Sequence, residues 1–252
     1  MESKTHNENV IEQFSKQAGN YTSIVAHRDA LEELTAITKA SKDDNVLDIA
    51  CGSGIVSCEF AKHVNHVTGI DITPEMLNEA KKLQAKYQLT NMDWEIGEVT
   101  SLPYADNTFS IVVSRFGFHH FLNPELVLKE MIRVCKPNGT VMVVDVALAD
   151  DKIDAYNVME KIRDSSHLKA LSVKEFELLF EKSGLKNIQE STYKMQIGLD
   201  EQLQASFPSN RSELKKMILD DVGIDSLGVN ASEIDGKVFL HYPIHILSGK
   251  KI

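Results

Sequence analysis

Val46-Leu47-Asp48-Ile49-Ala50-Cys51-Gly52-Ser53-Gly54 decides how this chain is read. An apolar run that carries an acidic residue and ends in small residues predicts a buried strand followed by a sharp bend. A helix is expected to open near Ile55. Small residues at Ala50, Gly52 and Gly54 let the backbone turn tightly and let a ligand approach closely. The helix N-terminus behind the bend offers unpaired N–H groups. The arrangement is that of a loop that holds a nucleotide-type cofactor.

Strands and helices alternate outward from this loop. Strands are expected over 46–50, 66–71, 92–97, 109–114 and 140–146, with helices over 55–64, from Pro74, and from Asn123-Pro124 to a stop before Pro137. Thr73 is placed as an N-cap with Pro74 at the first helical position. This alternation predicts a parallel sheet with helices on both faces. Residues 6–41 carry Val10, Ile11, Phe14, Leu31, Leu34 and Ile37 at helix-like spacing. After Val146 two helices are expected over 150–183, the second opening at the capping box Ser172/Glu175 and ending at Gly184. Strands then fall over 186–197 and 239–248, separated by a polar, partly helical stretch at 200–236 that reads as an insertion.

The 252 residues suffice for one large domain, and 42% hydrophobic with 25% charged residues is ordinary globular composition. A formal charge of -10 argues against nucleic acid as a partner, since phosphates demand clustered basic residues. Cys51, Cys58 and Cys135 follow neither a disulfide nor a zinc spacing, so reduced thiols in a cytoplasmic protein are expected. MESKTHNENV lacks the apolar core of a signal peptide. No apolar run approaches the roughly 20 residues needed to span a bilayer.

A second acidic residue, Asp71 in Val67-Thr68-Gly69-Ile70-Asp71, ends the next strand. In doubly wound folds that position faces the ribose of a bound nucleoside. A dinucleotide loop would read G-x-G-x-x-G and hold a pyrophosphate. Here Ser57 stands at the third glycine, and Asp48 sets a negative charge beside the turn. Electrostatics favour a sulfonium ligand bearing an ammonium group.

At this point the chain resembles the class I S-adenosylmethionine-dependent methyltransferases, in the small-molecule branch related to ubiquinone and menaquinone methyltransferases. The resemblance covers about residues 10–185 and rests on VLDIACGSG, VTGIDIT, IGEVTSLPYADNTFSIVVSR and ELVLKEMIRVCKPNGTVMVVD. It implies a Rossmann-like, doubly wound, mostly parallel seven-stranded α/β sheet with the last strand antiparallel. It also implies one domain over 1–252: an N-terminal helical latch (1–41), a cofactor-binding core (42–147) and substrate-side elements (148–252) that include the helical insertion. By the same resemblance, Asp48, Ala50, Gly52 and Gly54 would line the methionine and ribose part of S-adenosylmethionine, and Asp71 would bind the ribose. Ile72, Met76 and Val99 would lie by the adenine, Glu98 on its amino group, and Ser114 and Arg115 near the methionine. Tyr21, in QFSKQAGNY, would sit near the donor; it reads equally as a core contact of a packing helix.

Phe116-Gly117-Phe118-His119-His120-Phe121 follows the fourth strand, at the edge where open α/β sheets bind ligands. His119 is a candidate general base, with hydrogen bonding to backbone as the alternative for it and for His120. Phe118, His120, Tyr156 and His167 are candidate acceptor contacts; Phe121, Met159 and Phe207 read mainly as packing residues. No metal site is expected, because adjacent histidines seldom reach one ion. The expected activity is methyl transfer to a small, ring-containing or apolar molecule, leaving S-adenosylhomocysteine. The alternatives are a non-catalytic binder of the donor and a nicotinamide-dependent oxidoreductase.

Overall fold

A computed structural model describes residues 5–22 and 24–252. Ser23 and the first four residues, and with them part of the N-terminal reading above, lie outside the described residues. The chain runs α1 (His6–Tyr21), a 3-10 turn (Val25–Arg28), α2 (Leu31–Thr38), β1 (Asn45–Ile49), α3 (Ile55–Ala61), β2 (His66–Asp71), α4 (Pro74–Lys86) and β3 (Met92–Ile96). It continues through β4 (Phe109–Arg115), a second 3-10 turn (Phe118–His120), α5 (Pro124–Val134), β5 (Cys135–Leu148), α6 (Ile153–Arg163), β6 (Leu171–Ser172) and α7 (Val173–Glu181). It closes with β7 (Lys186–Gly198), α8 (Leu199–Ala205), α9 (Arg211–Asp220), β8 (Ser232–Ile234) and β9 (Lys237–Lys250).

The sheet is mixed, in the order β3-β2-β1-β4-β5-β9-β7. The first five of these strands pair in parallel, and β9 lies antiparallel to both β5 and β7. The expected seven strands and antiparallel last strand form this main path; the short β6 and β8 add to it beside β5 and β9. Strand order reverses between β1 and β4, the switch point where the carboxyl ends of such strands open a crevice. Side chains alternate across the sheet and so divide the core in two. Val46, Ile111, Val113, Met142 and Val144 face the side covered by α3, α6 and α8. Leu47, Ile49, Val112 and Val143 face the side covered by α5 and α7, where Met131, Phe176 and Phe180 are fully buried. Each such side chain contributes about 1.5–3 kcal/mol on leaving water.

Two segments depart from expectation. The N-terminal helical stretch breaks after Tyr21, passes through the 3-10 turn, and restarts after Ala30, which is left-handed at φ 59°. The strand expected from Thr140 begins at Cys135, and the β4–β5 register shifts between Phe109 and Ile111. Asn138, at φ 64°, absorbs the turn and its N–H finds Lys251 O at 2.7 Å, so Pro137 breaks no ladder that the sheet needs. The Ser172/Glu175 capping box forms as expected. Thr73 occupies the N-cap position, but its side chain makes no cap hydrogen bond; the Asp71 carboxylate takes its N–H, at 2.8 Å. No described helix is long and apolar enough to cross a membrane.

Candidate active site

A cleft of about 300 Å³ opens over the carboxyl ends of β1 and β2. Its floor is the turn Ala50–Ser53; Asp71, Ile72 and Met76 form one wall, Glu98 and Val99 another. Helix α1 roofs it with His6, Asn7 and Phe14. Gly52 is left-handed, at φ 52°, and a Cβ there would meet the Met76 methyl at 3.1 Å. Asp71 holds the turn from behind: one carboxylate oxygen accepts Gly52 N–H and the other Thr73 N–H, both at 2.8 Å. Burial raises its pKa from the ordinary value, and those N–H groups work against the rise. Glu98 accepts from Asn7 Nδ2 at 2.9 Å, which ties α1 to the far end of the cleft.

Ala50 and Phe116 have positive φ, 50° and 60°, at the ends of the adjacent strands β1 and β4. A non-glycine residue in this region costs about 1–2 kcal/mol. Such strain gathers where a site needs it.

Several residues assigned to the donor lie elsewhere. Asp48 is buried under the turn, outside the cleft lining, and accepts the Ser57 hydroxyl; Ser57 is the residue standing where a dinucleotide loop would have its third glycine. Burial pushes the Asp48 carboxyl up to about 7, and the Ser57 hydrogen bond works against the rise. Gly54 also faces away: a Cβ there would stand 2.5 Å from the Trp94 ring and 2.9 Å from Ala80 Cβ, so the glycine serves packing of α3 on the sheet. Ser114 is fully buried, and its hydroxyl has no partner among the described residues. Arg115 reaches the cleft, but its guanidinium is engaged by His27 O at 2.5 Å, Asp29 O at 3.1 Å and Tyr193 Oη at 2.9 Å. It pins the 3-10 turn after α1 to the sheet.

A second, smaller cavity of about 70 Å³ lies inward of the cleft. The two share Phe14, Tyr21, His27, Phe116 and His120 as a common wall. The chamber is completed by His119, by Tyr156, Glu160 and Arg163 of α6, and by Gln202 and Tyr242 from the carboxyl-terminal third. His119 Nδ1 meets Asp145 Oδ1 at 2.7 Å. Asp145 also accepts the N–H groups of Phe118 (2.8 Å), His119 (3.3 Å) and Val146 (2.7 Å), and the His119 ring donates to it through Nδ1. The Nε2 atom is left to carry the lone pair when the ring is neutral. Burial lowers the His119 pKa, but the Asp145 charge and hydrogen bond outweigh it, and the value is raised above the ordinary 6.5.

The neighbouring histidines behave differently. His120 donates Nδ1–H to Ser166 O at 3.0 Å, and burial holds it neutral, with a pKa lowered to about 3. His167 donates Nε2–H to Asn157 Oδ1 at 2.7 Å and leaves Nδ1 buried with no partner among the described residues. Burial pulls its pKa to about 2; it packs 5.5 Å from the His119 ring and does not line the chamber. Tyr21 lines both cavities, and burial raises its hydroxyl to about 12. Phe118 packs against Phe121 in the core and lines neither cavity. Phe207 is about half exposed and Met159 is core. Asp145, Glu160, Arg163 and Asn7 were not singled out from the sequence. An acidic residue in the β5 run Val143-Val144-Asp145-Val146 was a usable signal for Asp145, whereas charges three apart on α6 resemble an exposed helix face.

The glycine turn, the buried carboxylate at the end of β2 and the switch-point cleft define a Rossmann-like methyltransferase, and residues 40–203 match the methyltransferase domain family, to which the chain belongs. It is similar to the uncharacterized methyltransferase YcgJ of Bacillus subtilis (strain 168), 29% identical over 66% of this chain and 68% of that protein. The crystal structure of YcgJ has the same fold, with a TM-score of 0.78 and 23% identity over 88% of this chain and 97% of that one. The ubiquinone/menaquinone biosynthesis C-methyltransferase UbiE of Bdellovibrio bacteriovorus is 39% identical over 52% of this chain, a match spanning only 59% of that protein. Phospholethanolamine N-methyltransferase 2 of Haemonchus contortus, solved in complex with phosphomonomethylethanolamine and S-adenosylhomocysteine, shares the fold with a TM-score of 0.70 and 14% identity, over all of this chain and 61% of that one.

Proposed function

We propose that the protein transfers a methyl group from S-adenosylmethionine to a small acceptor held in the inner chamber. The observation that carries this is the common wall: a donor-sized cleft and a smaller chamber meet at Tyr21, Phe116 and His120. The residues fit the donor. Asp71, already oriented by two backbone N–H groups, would hold the ribose; Glu98 would hold the adenine amino group, with Ile72, Met76 and Val99 packing on the base. When bound, the donor supplies a methyl already activated by a positively charged sulfur.

The protein's work is then to place the acceptor atom, exclude water and receive a proton. Helix α1 contributes lining residues to both cavities, among them Phe14 and Tyr21. Holding donor and acceptor in a fixed orientation lowers the barrier by several kcal/mol. His119, aligned by Asp145 with Nε2 free, would take the proton from an acidic O–H or C–H of the acceptor, a contribution of about 10²–10⁴ in rate.

Calorimetric titration with S-adenosylhomocysteine and with NAD tests the donor assignment. Binding of the first and not the second is expected. NAD binding in its place refutes the proposal.

A further inference from the structure

Every described residue common to the two cavities carries a ring: Phe14, Tyr21, His27, Phe116 and His120. The rings follow one another, with centroids 5.1 Å apart from His120 to Phe14 and 6.4 Å from Phe14 to Tyr21. The separation is 4.2 Å from Tyr21 to His27 and 6.3 Å from His27 to Phe116. A methyl carried from cleft to chamber passes this chain of rings.

Two of the rings are fixed as hydrogen-bond acceptors. His27 donates Nδ1–H to Tyr21 O at 3.1 Å, and His120 donates Nδ1–H to Ser166 O at 3.0 Å. A carbonyl can only accept, so it sets the tautomer and leaves the lone pair on Nε2. Neither Nε2 has a hydrogen-bond partner among the described residues, and neither is sealed in as His167 Nδ1 is. With Nδ1 turned to the backbone and the residues only 8% and 7% exposed, the open Nε2 is what each ring presents to the cavities it lines.

These two imidazoles differ in kind from His119. His119 has the same tautomer, but its partner is the Asp145 carboxylate, which raises its pKa and fits it to take a proton. Burial, helped by the nearby Arg115 charge, keeps His27 neutral, with a pKa lowered to about 3; burial does the same for His120. Arg115 also holds the His27 carbonyl at 2.5 Å, so the ring is fixed from its backbone, its Nδ1 and its Tyr21 face. The Arg115 guanidinium lies 4.3 Å from the Phe116 centroid, which takes one face of that ring. Its charge works against a second cation at the passage; the two lone pairs and the remaining ring faces work for one. The methyl on a sulfonium has polarised C–H bonds that donate weakly to such lone pairs. The neutral thioether left after transfer has no methyl to donate.

We propose that His27, together with His120, is a positioning residue for the transfer: the Nε2 lone pairs receive the C–H groups of the sulfonium methyl and aim it from the cleft into the chamber. This rests on reading the cleft as the donor site and the chamber as the acceptor site. It gives the protein a means of favouring the charged donor over the neutral product.

The test compares S-adenosylmethionine with S-adenosylhomocysteine on the full chain and needs no acceptor. Calorimetry on the unaltered protein and on His27→Phe, which keeps a ring and removes the lone pair, gives the affinity for the donor relative to the product. That ratio is expected to fall at least threefold in the variant. A merely structural role for His27 would shift both affinities alike and leave the ratio unchanged. Should the variant fail to fold, NMR of the unaltered protein decides, with an isotope-labelled donor methyl and labelled histidines. NOEs from the methyl to the His27 ring are expected, and the His27 Nε2 resonance is expected to move upfield when S-adenosylmethionine replaces S-adenosylhomocysteine. An unchanged ratio, or a bound methyl without NOEs to His27, overturns the proposal. Failure of the unaltered protein to bind either compound refutes instead the donor reading on which it stands.

Discussion

Replacing Asp145 with asparagine tests the His119 assignment without needing the acceptor. The carboxylate accepts three backbone N–H groups at 2.7–3.3 Å and the His119 ring at 2.7 Å. An amide has one oxygen to offer where the carboxylate has two, so some of these donors lose their partner, at about 1–3 kcal/mol of stability in urea unfolding. The ring loses a charged acceptor. A hydrogen bond to a charged group contributes about 1.5–3 kcal/mol, and each 1.4 kcal/mol is tenfold, so the ring's proton affinity should fall roughly 10- to 100-fold. The assay is an NMR titration of histidine-labelled protein. His119 is expected to titrate above 6.5 in the unaltered chain and distinctly lower in Asp145→Asn. His27, His120 and His167 are held by burial at about 3, 3 and 2, so they stay neutral through that window and do not obscure it. His119 titrating at the same pH in both proteins, or below 6.5 in the unaltered one, refutes the reasoning. The raised value also sets the sign of two pH effects. As a base, the ring gains activity as pH rises through its folded value. Its contribution to stability is full below 6.5 and is lost over that same rise.

Three further outcomes are expected. Asp71→Ala should weaken S-adenosylhomocysteine binding about 10- to 100-fold by calorimetry, because it removes the proposed ribose partner and releases Gly52 and Thr73 N–H; unchanged affinity contradicts the site. Gly54→Ala should lower stability by about 2–5 kcal/mol in urea unfolding, from left-handed strain at φ 74° added to overlap with a Trp94 ring that Gln84 fixes by a 2.7 Å hydrogen bond. His120, neutral when folded, leaves the unfolded chain to bind the proton below pH 6.5, so stability falls as pH falls; His120→Gln should lessen the loss between pH 6.5 and 5 by about 1.5 kcal/mol.

The parallel half of the fold was legible because local signals agree there. Val46–Ile49 and His66–Asp71 are short apolar runs closed by turn chemistry, and each lies within a residue of its expected bounds. The N-terminal break was not legible: apolar spacing continues from Phe14 to Ile37 while the backbone turns at Ala30, next to Asp29, whose carbonyl Arg115 holds from a distant strand. Motif position located the cleft but not which side of the turn a residue faces. Asp48 and Gly54 belong to the same motif as Ala50 and Gly52, yet they serve the packing beneath it. Glu160 and Arg163 escaped notice because a helix face is assigned by tertiary contact, and three-residue charge spacing suits solvent as well as a cavity.

The chain holds one tryptophan, and Trp94 packs directly behind the glycine bend, against Gly54 and Gly69. The molecule thus carries a native optical reporter. Intrinsic emission comes from a single indole lodged against the back of that bend, so spectral changes can be assigned to this spot without labelling or introducing a fluorophore.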